Sequence, residues 1–403
     1  MAEKSFTYVI VGGGLAGASA IDGIREHDTS GKILLISKEP YLPYHRPPLS
    51  KGLWTGKKKV EDIGVHDAPY YTRFSVEIKL SSEIVVLDPK AKSVSDIGGT
   101  TYKFDKLLLS TGGVPTRLEL SAPVPEGVIY FRNLDDYNEL LLKCKENSSA
   151  IIIGGGFIGT EVAAALAMNK VKTTLIFPGP WPCHRIFPAY LGMHILKLYR
   201  EQGINVVTED QPIALEKNAG TWLVQSKRGK EIESDMVVAG IGIRPSIELA
   251  AQAGLKTENG IVVNTFLQTS HPDIYAAGDN AQYPDKWTGS NMRTEHWDNT
   301  LNQGKRAGKN MAGEHEPYNY MPYFFSDLFD FGFEAVGTID SRLETFADWQ
   351  EENKKGTIYY LQGNKIKGIM LCNMWGKIDI ARSLIQKAEP VDSIATLKNK
   401  ISD

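Results

Sequence analysis

Two stretches of this chain repeat one pattern, and the repeat limits the fold more than anything else in the sequence. Tyr8 to Ala20, YVIVGGGLAGASA, runs from strand-forming apolar residues into Gly12, Gly13, Gly14, Leu15, Ala16 and Gly17, then on through small residues that suit a helix. Ser148 to Leu166, SSAIIIGGGFIGTEVAAAL, does the same through Gly154, Gly156, Phe157, Ile158 and Gly159. Strand, tight turn and helix make the start of a βαβ unit, and each glycine of the pattern has its own task. The first permits the sharp turn, the second lets the backbone touch a pyrophosphate, and the third lets the helix lie close on its strand. The helix N-terminus then turns its N–H groups toward negative phosphates. Two such patterns predict two bound dinucleotides.

Composition narrows the setting. With 403 residues, 42% of them hydrophobic, the chain is long enough for two or three domains, each with its own core. The formal net charge of −3 gives no basic excess, so no nucleic-acid partner is expected, and Lys57, Lys58 and Lys59 read as a solvated loop. The three cysteines, Cys144, Cys183 and Cys372, are far apart and never form CxxC. Neither a disulfide framework nor a metal site is expected, and a reducing compartment fits. No apolar run approaches the roughly twenty residues of a membrane span. The expectation is a soluble, cytoplasmic protein.

Further along, Lys32 to Ser37 is the second strand of the first unit, and its end should offer a carboxylate to a ribose hydroxyl; Lys38 and Glu39 stand there. Pro43 to Lys51 is a proline-stiffened segment presenting Arg46 and Lys51 with little entropy left to lose. Leu107 to Ser110 reads as a buried strand entering Thr111, Gly112 and Gly113, a turn where backbone can approach a cofactor closely. Ile274 to Ala277 is another small-residue strand, ending in Gly278 and Asp279. In the second unit Val171 to Phe177 is the ribose strand, but Pro178 to Arg185 follows with no acid, and Gly179 stands near where one would be. His184 and Arg185 are cations that could meet a phosphate. Toward the C-terminus, 356–361 and 366–371 around the Gly363-Asn364 turn predict a hairpin, and 378–386 a helix.

RPPLSK is complete as Arg46 to Lys51, and further stretches run almost to the C-terminus: DKLLLSTGG from Asp105, GIGIRP from Gly240, YAAGD from Tyr275, EHWDN from Glu295 and YFFSDL from Tyr323. In their order and spacing these resemble the FAD-dependent pyridine nucleotide oxidoreductases that include ferredoxin, rubredoxin and putidaredoxin reductases and apoptosis-inducing factor. The resemblance implies an α/β fold with two Rossmann-like dinucleotide-binding domains in the glutathione-reductase-like arrangement, the FAD domain discontinuous, plus a C-terminal α+β domain. The corresponding spans are 1–123 and 246–316 for FAD, 124–245 for NAD(P)H and 317–403 for the C-terminal domain.

The resemblance also implies roles. Arg117 and Asp279 join the FAD-side candidates, and Ile84, Gly242, Glu295 and His296 belong to the cofactor-binding set. Relatives pair Glu161 with the lysine of RPPLSK, so Lys51 and Glu161 are the catalytic candidates, positioned beside flavin N5. Phe325 stands where many relatives have tryptophan, and Glu334 and Asn373 fall near the nicotinamide nucleotide. The implied cofactors are FAD and NADH, with NADPH left open. Residues 36–60 contain no cysteine, so electrons should leave the flavin for an external acceptor: a ferredoxin or rubredoxin, a quinone, a dye or oxygen. The alternative is a redox sensor like apoptosis-inducing factor, whose NADH-bound state controls assembly with partners. A homodimer is compatible with either.

Overall fold

The computed structural model describes residues 4–401. It divides into two compact units that the chain enters repeatedly: one holds the residues up to His45, Val60–Val114 and Arg244–Pro322, the other Arg46–Lys59, Pro115–Ile243 and everything from Tyr323 onward.

The first unit is built on strand Lys4–Val11, which runs parallel to Ile33–Ile36 on one side and to Thr101–Leu109 on the other. Val76–Lys79 extends the sheet beyond Ile33–Ile36. Val9, Ile10, Leu34, Leu35, Leu107 and Leu108 are completely buried, the continuous apolar run expected of a parallel sheet covered on both faces. The far edge of Thr101–Leu109 is shared. Its second half pairs in parallel with Ile274–Ala276, and its first half pairs antiparallel with Ser93–Asp96. A strand from beyond residue 243 thus completes a sheet begun at residue 4, and this unit is discontinuous in sequence, as expected. Helix Leu15–Arg25 lies against helix Trp297–Met311 at a separation only glycine permits: a Cβ on Gly304 would sit 2.4 Å from the Ala16 carbonyl oxygen, and one on Gly308 2.1 Å from that of Ala20.

The second unit has its own parallel sheet, ordered Asn205–Val207, Lys172–Ile176, Ser149–Ile153, Met236–Ala239 and Ile129–Tyr130. A five-stranded antiparallel sheet from the C-terminal part belongs to the same unit, in the order Tyr323–Leu328, Phe331–Gly337, Lys365–Cys372, Lys355–Gln362 and Glu344–Glu351. Its Lys355–Gln362 and Lys365–Cys372 strands form the expected hairpin, and helix Ile378–Lys387 follows. Phe157, Phe187, Phe324 and Phe333 join the two sheets in a tilted and edge-on aromatic cluster, and the Tyr360 hydroxyl donates to the Ile186 carbonyl at 2.7 Å. The proline segment makes a single tight turn over Pro47–Ser50, anchored by the Trp54 indole donating to the Leu49 carbonyl at 2.7 Å. Among the described residues no helix is long and apolar enough to cross a membrane, and no cluster of His, Cys, Asp and Glu could hold a metal ion.

Candidate functional site

The two glycine turns are built alike, contact for contact. Gly12 and Gly154 have φ of 123° and 124°, which disfavours any side chain. A Cβ on Gly12 would stand 2.1 Å from the Ser110 carbonyl oxygen, and one on Gly154 2.3 Å from that of Gly240, each belonging to the neighbouring strand's end. Gly17 and Gly159 press on the carbonyls of Gly12 and Gly154 at 2.3 and 1.9 Å by the same measure. Gly14 and Gly156 are different. Nothing in the protein lies within 4 Å of a Cβ on either, and both begin a helix whose first turn no side chain caps. Packing explains the first and third glycines of each turn. The middle ones face open space at an uncapped helix N-terminus, which is what a pyrophosphate requires. The residues present therefore fit a dinucleotide in each unit.

In the second unit Lys51 and Glu161 meet, with Nζ 2.6 Å from Oε1. Ser50 Oγ donates to Oε2 at 2.5 Å and Ser326 Oγ to Oε1 at 2.6 Å. The glutamate side chain is 2% exposed and the lysine 15%, so this carboxylate is buried with three donors around it, and the Lys51 ammonium also lies 5.4 Å from the centre of the Phe325 ring. Three separate parts of the chain contribute: the turn at Pro47–Ser50, helix Phe157–Met168 and strand Tyr323–Leu328. Ser50 and Ser326 did not emerge from sequence reasoning. A serine has no signature of its own, and only its place inside RPPLSK and YFFSDL could have marked either one.

Around the first turn, Gly13 packs on Ser37, while the side chains of Leu15 and Ala16 are buried within the helix. Lys38 is exposed and pairs with Glu83 at 2.9 Å. The Glu39 carboxylate accepts the Tyr44 hydroxyl at 2.6 Å and is thereby held in place at the end of the ribose strand. Ile84 has its side chain in the core of this unit. The Thr111 hydroxyl donates to the Ser246 carbonyl at 2.8 Å, and Gly112, at φ 64°, accepts the Ser246 amide through its carbonyl. The Asp279 carboxylate accepts the Thr300 hydroxyl at 3.3 Å, and Glu295 pairs with Arg293 at 2.6 Å. Burial pushes His296 down to about 4, with Asp279 opposing, so its imidazole is neutral at physiological pH.

The remaining candidates lie in the second unit. Arg46 donates to the Arg132 carbonyl at 2.6 Å. Arg117 is exposed and stacks 4.1 Å above the Tyr130 ring. Phe157 points into the aromatic cluster, whereas Ile158 beside it is 39% exposed at the open mouth of the turn. Gly242, at φ 107°, gives its carbonyl to the Thr116 amide. Asn373, itself at φ 47°, accepts the Gly332 amide and donates to the carbonyls of Asp330 and Lys354, a set of bonds that ties three loops together. Glu334 keeps one carboxyl oxygen buried without a partner, and burial raises its pKa while a hydrogen bond from the Gly376 amide opposes. A half-buried carboxyl with an orphan oxygen suits a polar ligand group.

Two uncapped dinucleotide turns, each in its own α/β unit, and a buried lysine–glutamate pair define an oxidoreductase that handles two nucleotide cofactors. The chain belongs to the pyridine nucleotide-disulphide oxidoreductase family, whose model matches residues 6–304. A second model, apoptosis-inducing factor, mitochondrion-associated, C-term, matches 307–354 and 347–387. The chain is 33% identical to "Apoptosis-inducing factor 1, mitochondrial" of Dictyostelium discoideum, with 99% of this chain and 81% of that one covered. It is 32% identical to "Monodehydroascorbate reductase 1, peroxisomal" of Arabidopsis thaliana, with 97% and 96% covered. Among solved structures it resembles putidaredoxin reductase in its covalent complex with putidaredoxin (TM-score 0.90, 27% identity, 96% and 94% covered). It equally resembles the ferredoxin reductase for the CYP199A2 system of Rhodopseudomonas palustris (TM-score 0.90, 26% identity, 97% and 98% covered). Members of the family are FAD-dependent and use NAD(P)H, and these are the cofactors of this chain.

Proposed function

We propose that this chain is an FAD-dependent NAD(P)H oxidoreductase that moves hydride from nicotinamide to flavin and delivers the electrons to an external acceptor, either a small iron–sulfur protein such as ferredoxin or rubredoxin, or a small molecule such as a quinone. Bound FAD supplies a ring that takes electrons in pairs and releases them singly or in pairs. Gly14 and the helix it opens hold one pyrophosphate; Gly156 and its helix hold the other. The observation that carries the reading is the Lys51–Glu161 pair: a lysine ammonium fixed by a buried carboxylate, which two serine hydroxyls orient in turn, is a preorganised charge for a reacting centre. Glu39 and Asp279 are held ready to accept hydrogen bonds from ribose and ribityl hydroxyls.

An internal disulfide relay has no support from the cysteines. Cys183 and Cys372 are buried, and burial pushes the Cys183 thiol up to about 12 and Cys372 higher, so neither is a thiolate at neutral pH. Burial likewise raises Cys144 to about 11. The relatives support acceptors outside the chain, since the names of two of them specify a small redox protein and monodehydroascorbate. Steady-state oxidation of NADH and NADPH with ferredoxin, rubredoxin, a quinone and monodehydroascorbate tests this. One of them should turn over far faster than oxygen. The match of residues 307–387 to the C-terminal model of apoptosis-inducing factor favours a second reading, a slow redox sensor. That reading would hold if the protein were reduced by NAD(P)H yet passed electrons to every acceptor no faster than to oxygen.

A further inference from the structure

The strand Lys172–Ile176 leads to the place where a Rossmann unit tells its two nicotinamide nucleotides apart: an acid there takes the ribose diol of NADH, and cations take the 2′-phosphate of NADPH. Phe177, Pro178 and Gly179 follow, and the His184 imidazole stands where a side chain on Gly179 would go, its Nδ1 2.3 Å from the Cβ position. The segment carrying it is docked on the nucleotide turn itself, with the Cys183 amide donating to the Gly155 carbonyl at 2.7 Å. It is pinned from the other side as well: the Arg185 carbonyl accepts the Ser341 amide at 2.9 Å and the Ile186 carbonyl the Tyr360 hydroxyl at 2.7 Å. Arg185 is therefore presented from fixed backbone, two residues from the amide that touches the glycine turn.

Its guanidinium is exposed and has no ion-pair partner among the described residues. The acids on this side are engaged elsewhere. The Glu209 amide donates to the Gly179 carbonyl, but its carboxylate faces Arg228 at 3.9 Å. The Asp210 carboxylate is taken by the Ser226 hydroxyl and by the amides of Gln211 and Arg228. Burial, and then Arg185 itself, lower the His184 pKa, so at neutral pH His184 is a hydrogen-bonding group and Arg185 the charge.

We infer that Arg185, with His184 beside it, binds the 2′-phosphate of NADPH, and that this chain takes NADP(H) at least as tightly as NAD(H). The inference rests on reading Gly154–Gly159 as the nicotinamide site. Equilibrium titration of the oxidised, FAD-loaded protein with 2′,5′-ADP and 5′-ADP, and then with NADP⁺ and NAD⁺, tests it without turnover. 2′,5′-ADP should bind ~10-fold or more tightly than 5′-ADP, the value of one charge-assisted hydrogen bond to a phosphate. Arg185→Ala should erase that difference while changing 5′-ADP affinity by less than about twofold, and Arg185→Lys should restore part of it. Equal affinity for the two probes in the unaltered protein, or an unchanged ratio in Arg185→Ala, would overturn the inference and leave the site assignment standing. If no nucleotide binds at all, the assignment of the second turn fails and takes the inference with it.

Discussion

At the scale of single residues, the Glu161 carboxylate is buried in the second unit with three donors around it, and these set what substitution should do. Lys51→Met removes the one full charge facing it and leaves a buried carboxylate with two hydroxyls, a change expected to cost about 2–4 kcal/mol in stability by equilibrium unfolding. Flavin reduction should slow on the order of tenfold to a hundredfold in Lys51→Met and in Glu161→Gln with FAD retained, because the pair orients charge and holds no phosphate. The double variant should be milder than the sum of the singles, since contacting partners are not additive. Strict additivity of the two log-rate changes would separate the residues. In the first unit, Asp96 offers a pH test. Burial alone would raise its pKa, but the Lys79 ammonium at 2.5 Å, the Thr100 amide and the Tyr102 hydroxyl outweigh burial and bring it down to about 2. A lowered folded-state pKa gives stability that is fully present above the ordinary carboxylate value near 4 and lost as pH falls toward about 2. Asp96→Asn should therefore lower stability by about 1.5–3 kcal/mol at neutral pH, and the gap to the parent should close in that acid window. A gap independent of pH would mean the loss is one of packing alone. Lys51 and Glu161 were legible in the sequence through the motifs around them. Ser50, Ser326 and Tyr44 were not, because a hydroxyl's role depends on which distant carboxylate the fold brings to it.

At the scale of elements, the two glycine turns allow folding and cofactor binding to be tested apart. Gly14 has φ −92° and Gly156 φ −87°, values any residue adopts, and a Cβ on either meets no protein atom within 4 Å. Gly14→Val should thus leave the unfolding temperature of the apoprotein close to the parent's while abolishing FAD retention. Gly156→Val should keep FAD and lose reduction by the nicotinamide nucleotide. Full FAD occupancy in Gly14→Val, or unchanged reduction in Gly156→Val, would reduce the corresponding turn to a packing device. Gly12→Val is the control for a collision with protein, as its Cβ runs into the Ser110 carbonyl, and it should fail to fold. The strands and helices around both turns were readable because local pattern decides them: apolar runs such as Ile151 to Ile153, then glycine, then small residues. What pattern could not give is the packing of Phe157, whose ring turns away from the mouth of its helix into a cluster with Phe324 and Phe333, residues more than 160 positions away in sequence. Asn373 is similar. The resemblance marks it as near a ligand, and the structure shows its amide tying Gly332, Asp330 and Lys354 together.

At the scale of the whole molecule, the chain commits two α/β units to two dinucleotides and a C-terminal antiparallel sheet to the lysine–glutamate pair, through Ser326. The discontinuity of the first unit was legible because the glycine turn and Asp279 both point to one cofactor. The grouping of Arg46–Lys59 with the second unit was not, since it depends on contacts of Ser50, Trp54 and Arg46 with residues about 85 to 120 positions away. The proposed function requires that a nicotinamide nucleotide reduce a flavin held by this chain. The direct measurement is anaerobic single-turnover mixing of the purified protein with NADH and with NADPH, followed through the flavin absorbance. The protein should be yellow, release FAD and not FMN on denaturation, and bleach rapidly with at least one of the two nucleotides. A protein that is colourless and takes up no FAD on reconstitution, or whose bound flavin neither nucleotide reduces, would contradict it.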